Sequence, residues 1–195
     1  MKEQQKKYEL TDEFIESCSG KKLYRIRALV TFGSVMAGQL GGFIESEKNL
    51  DQSLYGDAWV CGDAWVYGDA RVCGDARVYG DARVYGDARV CGDARVCGDA
   101  RVYGDARVCG DARVRSYAVI SERKMIFLAS NVGSENGTLT VFNGEYGLIV
   151  TRGCFTGTVD EFLEKSAEVH DDKTKYEYKL LIEVAKSRIL GVKDE

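Results

Sequence analysis

The 195-residue chain contains a single histidine, His170, and that scarcity removes several chemistries at once. Three-histidine zinc coordination is excluded by count. None of the seven cysteines forms a Cys-x-x-Cys pair, so a structural zinc site is not expected, and the odd count argues against a disulfide framework. There is no basic excess either: the formal net charge is -4, whereas a dedicated nucleic-acid binder needs cations to exchange for condensed counterions. No charged-then-apolar leader opens the chain, and no apolar run approaches about 18 residues, so neither secretion nor membrane insertion is expected and the predicted location is cytoplasmic. A nucleophile elbow, a phosphate loop and a dinucleotide fingerprint are all missing. No catalytic residue, cofactor or metal is predicted, and His170, between two helical segments, reads as a surface loop residue.

What the chain does have is repetition. Ten Gly-Asp-Ala units start at every sixth residue from Gly56 to Gly110, most of them continuing Arg-Val-Tyr or Arg-Val-Cys. A short fixed period marks a solenoid, in which no unit buries its own apolar face and each must stack on neighbours. Alternation along Asp-Ala-Arg-Val-Tyr/Cys sends Ala and Val to one side and Asp, Arg and Tyr/Cys to the other, so the small and branched pair must face the core. Gly and the Asp after it supply the bend. Turning every six residues gives a triangular coil of about 18 residues, and about four coils cover the block, with 50–55 as a degenerate first unit in which Leu54 stands for Val.

This pattern resembles the left-handed parallel β-helix of the hexapeptide-repeat superfamily, in which an aliphatic residue recurs every sixth place with a small residue four later, here Val60 then Ala64 and Val66 then Ala70. The resemblance implies the left hand, since the general crossover rule would give the opposite one. The stretch from Leu40 to Leu50 (Leu-Gly-Gly-Phe-Ile-Glu-Ser-Glu-Lys-Asn-Leu) is similar to the lead-in of prophage-encoded proteins of this group, and Gly153 to Phe162 (Gly-Cys-Phe-Thr-Gly-Thr-Val-Asp-Glu-Phe) to their C-terminal cap. Those relatives mostly have no assigned activity. Acyltransferases of the wider superfamily use a histidine base on the coil, which this repeat block lacks.

The predicted fold is therefore mainly β: a single-stranded left-handed parallel β-helix over 50–116 with small α+β caps at 1–49 and 117–195. In the first cap, Thr11 is expected to start a short helix ended by Gly20, Lys22 to Phe32 to form a strand, and the glycines at 33, 38, 41 and 42 to form a loop. In the second, three short strands are expected at Lys124–Ser130, Thr138–Phe142 and Gly147–Thr151, the first two joined through Asn136-Gly137. Thr158 with Glu161 forms a capping box before a helix to about Val169, a reading favoured over an anion site because Asp160 and Glu161 are acidic. A last helix, Lys175 to Leu190, is expected to turn Tyr176, Leu180, Val184 and Ile189 to one side.

Outward positions sort into columns at the coil period. One holds Tyr67, Tyr85 and Tyr103, the next Cys73, Cys91 and Cys109, and the third mixes Cys61, Tyr79, Cys97 and Arg115. Two readings stand: selected faces, or near-identical units that duplicated and drifted. On the first, the cysteine column is an oligomer face and the tyrosine column an aromatic strip. Arg in mid-strand, with Asp two residues earlier, reads either as a self-neutralising lattice of ion pairs or as an anion or nucleotide site in which Arg83 and Arg101 grip phosphate beside Tyr67, Tyr85 and Tyr103. Trp59 and Trp65, which replace Arg over Arg77 and Arg83, are expected to pack on the N-terminal cap. The functional expectation is a non-catalytic phage or prophage-type β-solenoid that self-associates through a lateral face and sequesters a small anionic or nucleotide ligand, in the host cytoplasm if phage-encoded. The alternatives are a virion spacer and a divergent acyltransferase.

Overall fold

The computed structural model describes residues 5–191. Strands β1 (Tyr8–Glu16), β2 (Lys22–Ala28) and β3 (Leu40–Ile44) are followed by a single 3-10 turn (Glu47–Asn49). Eleven two-residue strands come next: β4 (Trp59–Val60), β5 (Trp65–Val66), β6 to β13 at each Arg-Val pair from Arg71–Val72 to Arg113–Val114, and β14 (Val119–Ile120). The chain then forms β15 (Ile126–Val132), β16 (Gly137–Gly144), β17 (Gly147–Arg152), β18 (Phe155–Thr158), α1 (Val159–Val169) and α2 (Asp172–Leu190).

The repeat block is a parallel β-solenoid of about four turns, and its strands lie in three sheets ordered β5-β8-β11-β14, β4-β7-β10-β13 and β6-β9-β12. Register fixes the coil: Arg83 lies on Arg101 and Val84 on Val102, one coil apart, and the Tyr85 N–H donates to Val102 O at 3.0 Å. Every Ala and Val of the units is buried, and the register stacks valine on valine along the axis, so the interior is filled by in-line columns of branched and of small side chains. Gly92 shows why the corners need glycine. Its φ is +68°, and a Cβ there would stand 3.0 Å from the Gly110 backbone N of the next coil.

The first unit departs from the expected register. Leu50, not Leu54, is buried and bridges Val72, because residues 51–55 form an extra bend that leaves Leu54 exposed. The Asn49 side chain then supplies the hydrogen bonds that a preceding coil would have made, donating to Gly68 O at 3.0 Å and Ala70 O at 2.9 Å.

The N-terminal cap is built from strands, and the helix expected at Thr11 is absent: β1 pairs antiparallel with β2, which buries Tyr8, Leu23 and Ile26. A local capping signal at Thr11 loses to non-local pairing, and its hydroxyl donates to Arg25 O across the ladder. Gly41 and Gly42, expected in a loop, lie inside β3, because the strand passes so near the first coil that a Cβ on Gly42 would sit 2.6 Å from Ala64 O. β3 pairs parallel with β5, so cap and solenoid share one seven-stranded sheet, β1-β2-β3-β5-β8-β11-β14, and the solenoid's open edge is covered.

The C-terminal cap is an antiparallel sheet, β15-β16-β17-β18, one strand more than expected. The β15–β16 connection spans Gly133 to Asn136, with Asn136 at φ 48°, instead of a two-residue turn. The sheet closes the solenoid with side chains: Phe142 joins the solenoid core, Thr151 Oγ1 donates to Arg113 O at 2.6 Å, and Asn143 Nδ2 donates to Val119 O at 3.0 Å. Its other face packs Leu139, Val141 and Val150 on the helices. In α2 the buried stripe is Tyr178, Ile182, Ala185 and Ile189; the expected Tyr176, Leu180 and Val184 are exposed. Spacings of four, three and four follow the helix period, whereas two steps of four drift off it, and the Tyr178 hydroxyl also accepts from Arg152 Nε at 3.0 Å.

The expected capping box is formed. The Thr158 N–H donates to the Glu161 carboxylate at 2.7 Å, and the Glu161 N–H donates to Thr158 Oγ1 at 3.2 Å. These bonds hold the Glu161 carboxyl below its ordinary value of 4.5, and bonds from Thr174 hold Asp171 below 3.8. A depressed folded-state pKa adds stability that is present above the ordinary value and is lost as pH falls through the folded one. The melting temperature of the C-terminal helices is therefore expected to drop as pH is lowered from about 5 toward 3. Circular dichroism at 222 nm follows it, and Glu161→Gln should flatten the dependence.

Candidate binding face

The sheet shared by the cap and the solenoid carries the predicted site residues in two adjacent ladders. In the first, Phe43 lies on Trp65, Trp65 on Arg83 and Arg83 on Arg101. The guanidinium of Arg83 stands 4.4 Å from the Trp65 ring centroid, and that of Arg25, from β2, stands 4.2 Å from Phe43. Two adjacent aromatics, Phe43 and Trp65, thus lie between the cations Arg25 and Arg83 where the cap meets the solenoid. The expected docking of Trp65 beside the cap is seen, and Trp59 is buried against Tyr8 and Phe32.

The second ladder is the tyrosine column. Tyr67, Tyr85 and Tyr103 stack with centroids 5.0 and 4.9 Å apart and interplanar angles of 8° and 4°. Parallel rings spaced along the solenoid axis present their edges and hydroxyls to solvent and their faces to each other. The column is therefore a comb of edges, and both faces of Tyr85 are occupied by its neighbours. Burial pushes the Tyr67 and Tyr85 hydroxyls up from their ordinary value, so both stay protonated donors at neutral pH.

The expected lattice of Asp–Arg ion pairs is not formed. Among the described residues, the repeat-unit carboxylates at salt-bridge distance from a cation pair outside the units, Asp69 with Lys48 at 2.9 Å and Asp105 with Arg123 at 3.2 Å. The cause is the corner: Gly-Asp makes the turn, so Asp is carried out of the strand plane in which Arg lies. Arg101 is exposed and, among the described residues, makes no intrachain hydrogen bond or ion pair through its side chain.

The cysteine column differs from three equivalent thiols. Cys91 and Cys109, one coil apart with Cα atoms 4.7 Å from each other, are bonded as a disulfide, and Cys73 is free. Burial raises the Cys73 thiol above its ordinary value. His170 caps α1, half-buried, with its ring against Tyr178 at 5.4 Å, and lies away from the face.

Sequence reasoning missed Arg25 and Phe43 as parts of this face. A signal was present: Gly42-Phe43-Ile44-Glu45 repeats the order of a unit, with Ile44 in the Val place and Phe43 in the Arg place.

Comparison with known families agrees with the architecture. Four overlapping stretches, 70–86, 76–92, 82–98 and 94–108, match the model of the YdcK beta solenoid repeat. No curated protein matches the chain. The central coils are thus similar in sequence to the repeats of a β-solenoid family.

Proposed function

We propose that this chain is a non-catalytic β-solenoid that acts by binding, and that its tyrosine-and-arginine face takes a small anionic ligand of the nucleotide class. The observation that carries the reading is the pairing of Arg101, exposed and free of intrachain carboxylates among the described residues, with the phenol edge of Tyr103 two residues along the same repeat unit. A guanidinium and hydroxyls side by side suit a phosphate, which accepts several charge-assisted hydrogen bonds. Tyr67 and Tyr85 continue the row of donors, Arg83 is held upright on Trp65, and a planar base adds to the stack at its Tyr103 end. Lateral self-association through the strip of Cys73, Cys91 and Cys109 belongs to the same reading, as does a phage-infected host cell as the setting in which a ligand would be sequestered.

The test is direct. The purified protein is incubated with a nucleotide and metabolite pool, washed, denatured, and the released compounds are identified by mass spectrometry. Recovery of an anionic compound is expected, with affinity reduced at least about tenfold in Arg101→Ala, the loss of one charge-assisted contact. A protein that emerges empty refutes the reading. If that empty protein co-purifies with particles, the rigid in-register stack of three sheets serves as a spacer instead.

A further inference from the structure

Where the repeat ends, a second site of opposite chemistry is built. Ser116 takes a left-handed conformation at φ 59°, and the chain makes its exit from the six-residue repeat through Tyr117 into β14, the last strand of the solenoid. The turn between β16 and β17 folds back over this exit: the Glu145 N–H donates to Tyr117 O at 3.0 Å, and Gly144 bridges Ala118. These contacts bring Tyr146 to Tyr117, with ring centroids 6.4 Å apart and planes at 72°. Both rings are largely exposed, Tyr117 at 51% and Tyr146 at 87%.

Beneath them is a cleft of about 190 Å³ walled by Leu148, Ile149 and the two rings, with Glu145 and Glu161 at its margin. Among the described residues no lysine or arginine lines it. Near-perpendicular rings, an apolar floor and acids as the only charged groups form a set that favours one ligand charge. An anion would meet two carboxylates, and the Thr158 N–H at the N-cap of α1 is already taken by Glu161. A neutral apolar group would leave the acids unused.

We propose that this cleft binds an alkylated ammonium group, with Tyr117 and Tyr146 as two walls of an aromatic cage and Glu145 and Glu161 as its counter-charges. A quaternary ammonium has no N–H to satisfy and is weakly hydrated, so it gives up little on leaving water and gains the attraction of both ring faces. The site is independent of the arginine face, which lies on the solenoid and carries the opposite charge.

The experiment is a titration of the full chain followed by NMR, using choline and, in parallel, its neutral carbon isostere 3,3-dimethylbutan-1-ol. Choline is expected to shift the Tyr117 and Tyr146 resonances and to bind at least about tenfold more tightly than the isostere. Tyr146→Ala, on an exposed turn, should remove that preference with the thermal midpoint unchanged. Tyr146→Phe should keep it, and Glu145→Gln should weaken choline without affecting the isostere. A peptide bearing trimethyllysine is the second arm: tighter binding than choline assigns the cage to a modified protein partner, and equal or weaker binding assigns it to a free small cation. Equal affinity for choline and the isostere, or no shift at either tyrosine, overturns the proposal.

Discussion

Trp59→Ala is expected to destabilise the protein by about 3–5 kcal/mol, the range for deleting a buried aromatic side chain. The indole is 2% exposed and sits where β4 meets the N-terminal cap, edge-on to Tyr8 at 6.2 Å and to Phe32 at 5.4 Å. Around it the cap is fastened by polar contacts: Tyr8 Oη donates to Leu50 O at 2.7 Å, and Lys7 Nζ donates to Gly56 O at 2.9 Å while lying 4.6 Å from the Phe32 ring. Removing the indole opens a cavity that none of these groups can fill without breaking its own bond, so collapse gives little relief. Trp59→Phe should cost less, because the Trp59 Nε1–H is buried without an acceptor and its removal recovers a desolvation penalty. Urea denaturation followed by circular dichroism measures both. An unchanged midpoint in Trp59→Ala would show that the cap is held by its sheet pairing alone.

Val84→Asp is expected to abolish folding of the solenoid, while Tyr85→Ala, one residue on, should cost on the order of 1 kcal/mol. Val84 is fully buried between Val66 and Val102, in a column where every neighbour along the axis is aliphatic, and no polar group is placed to receive a carboxylate. A buried unpaired charge costs several kcal/mol, comparable with the whole stability of a domain this size. Tyr85 loses two ring–ring contacts and exposes Tyr67 and Tyr103 to water, a local change. Size-exclusion chromatography and circular dichroism separate the two outcomes. A folded Val84→Asp protein would mean that the column tolerates water.

The inward half of the repeat was readable because alternation and a six-residue period constrain the same positions twice, and Ala and Val satisfy both constraints in every unit. The tyrosine column was readable for a related reason: an 18-residue coil places Tyr67, Tyr85 and Tyr103 in line whatever their rotamers. Ring orientation was not, since it depends on how neighbouring side chains share space, and it decides that the column offers edges in place of faces. The Asp–Arg pairing failed because strand alternation does not hold through a corner. Thr11 and Leu54 failed because each was judged from its neighbours in sequence, whereas β2 and the extra bend at 51–55 settled their places from a distance. Phe43 was legible in the unit-like order of Gly42 to Glu45, whereas Arg25 and the meeting of Tyr117 with Tyr146 depend on how the caps fold back, which no local pattern encodes.

The sequence unit has six residues and the coil takes three of them, and this mismatch has a consequence for how such a chain can vary. Loss of the single unit Gly86–Cys91 would leave each corner glycine on a glycine and each inward valine on a valine, so the interior would close as before. The outside would not: Tyr103 would pass from above Tyr85 to above Tyr79, Cys109 would take its place, and the C-terminal cap would arrive one third of a turn away from where it now stands relative to the N-terminal one. The interior is blind to such slips and the exterior records each of them. A solenoid of this kind can therefore exchange one set of surface neighbours for another in a single genetic step of eighteen nucleotides, with no search through unfolded intermediates in sequence space.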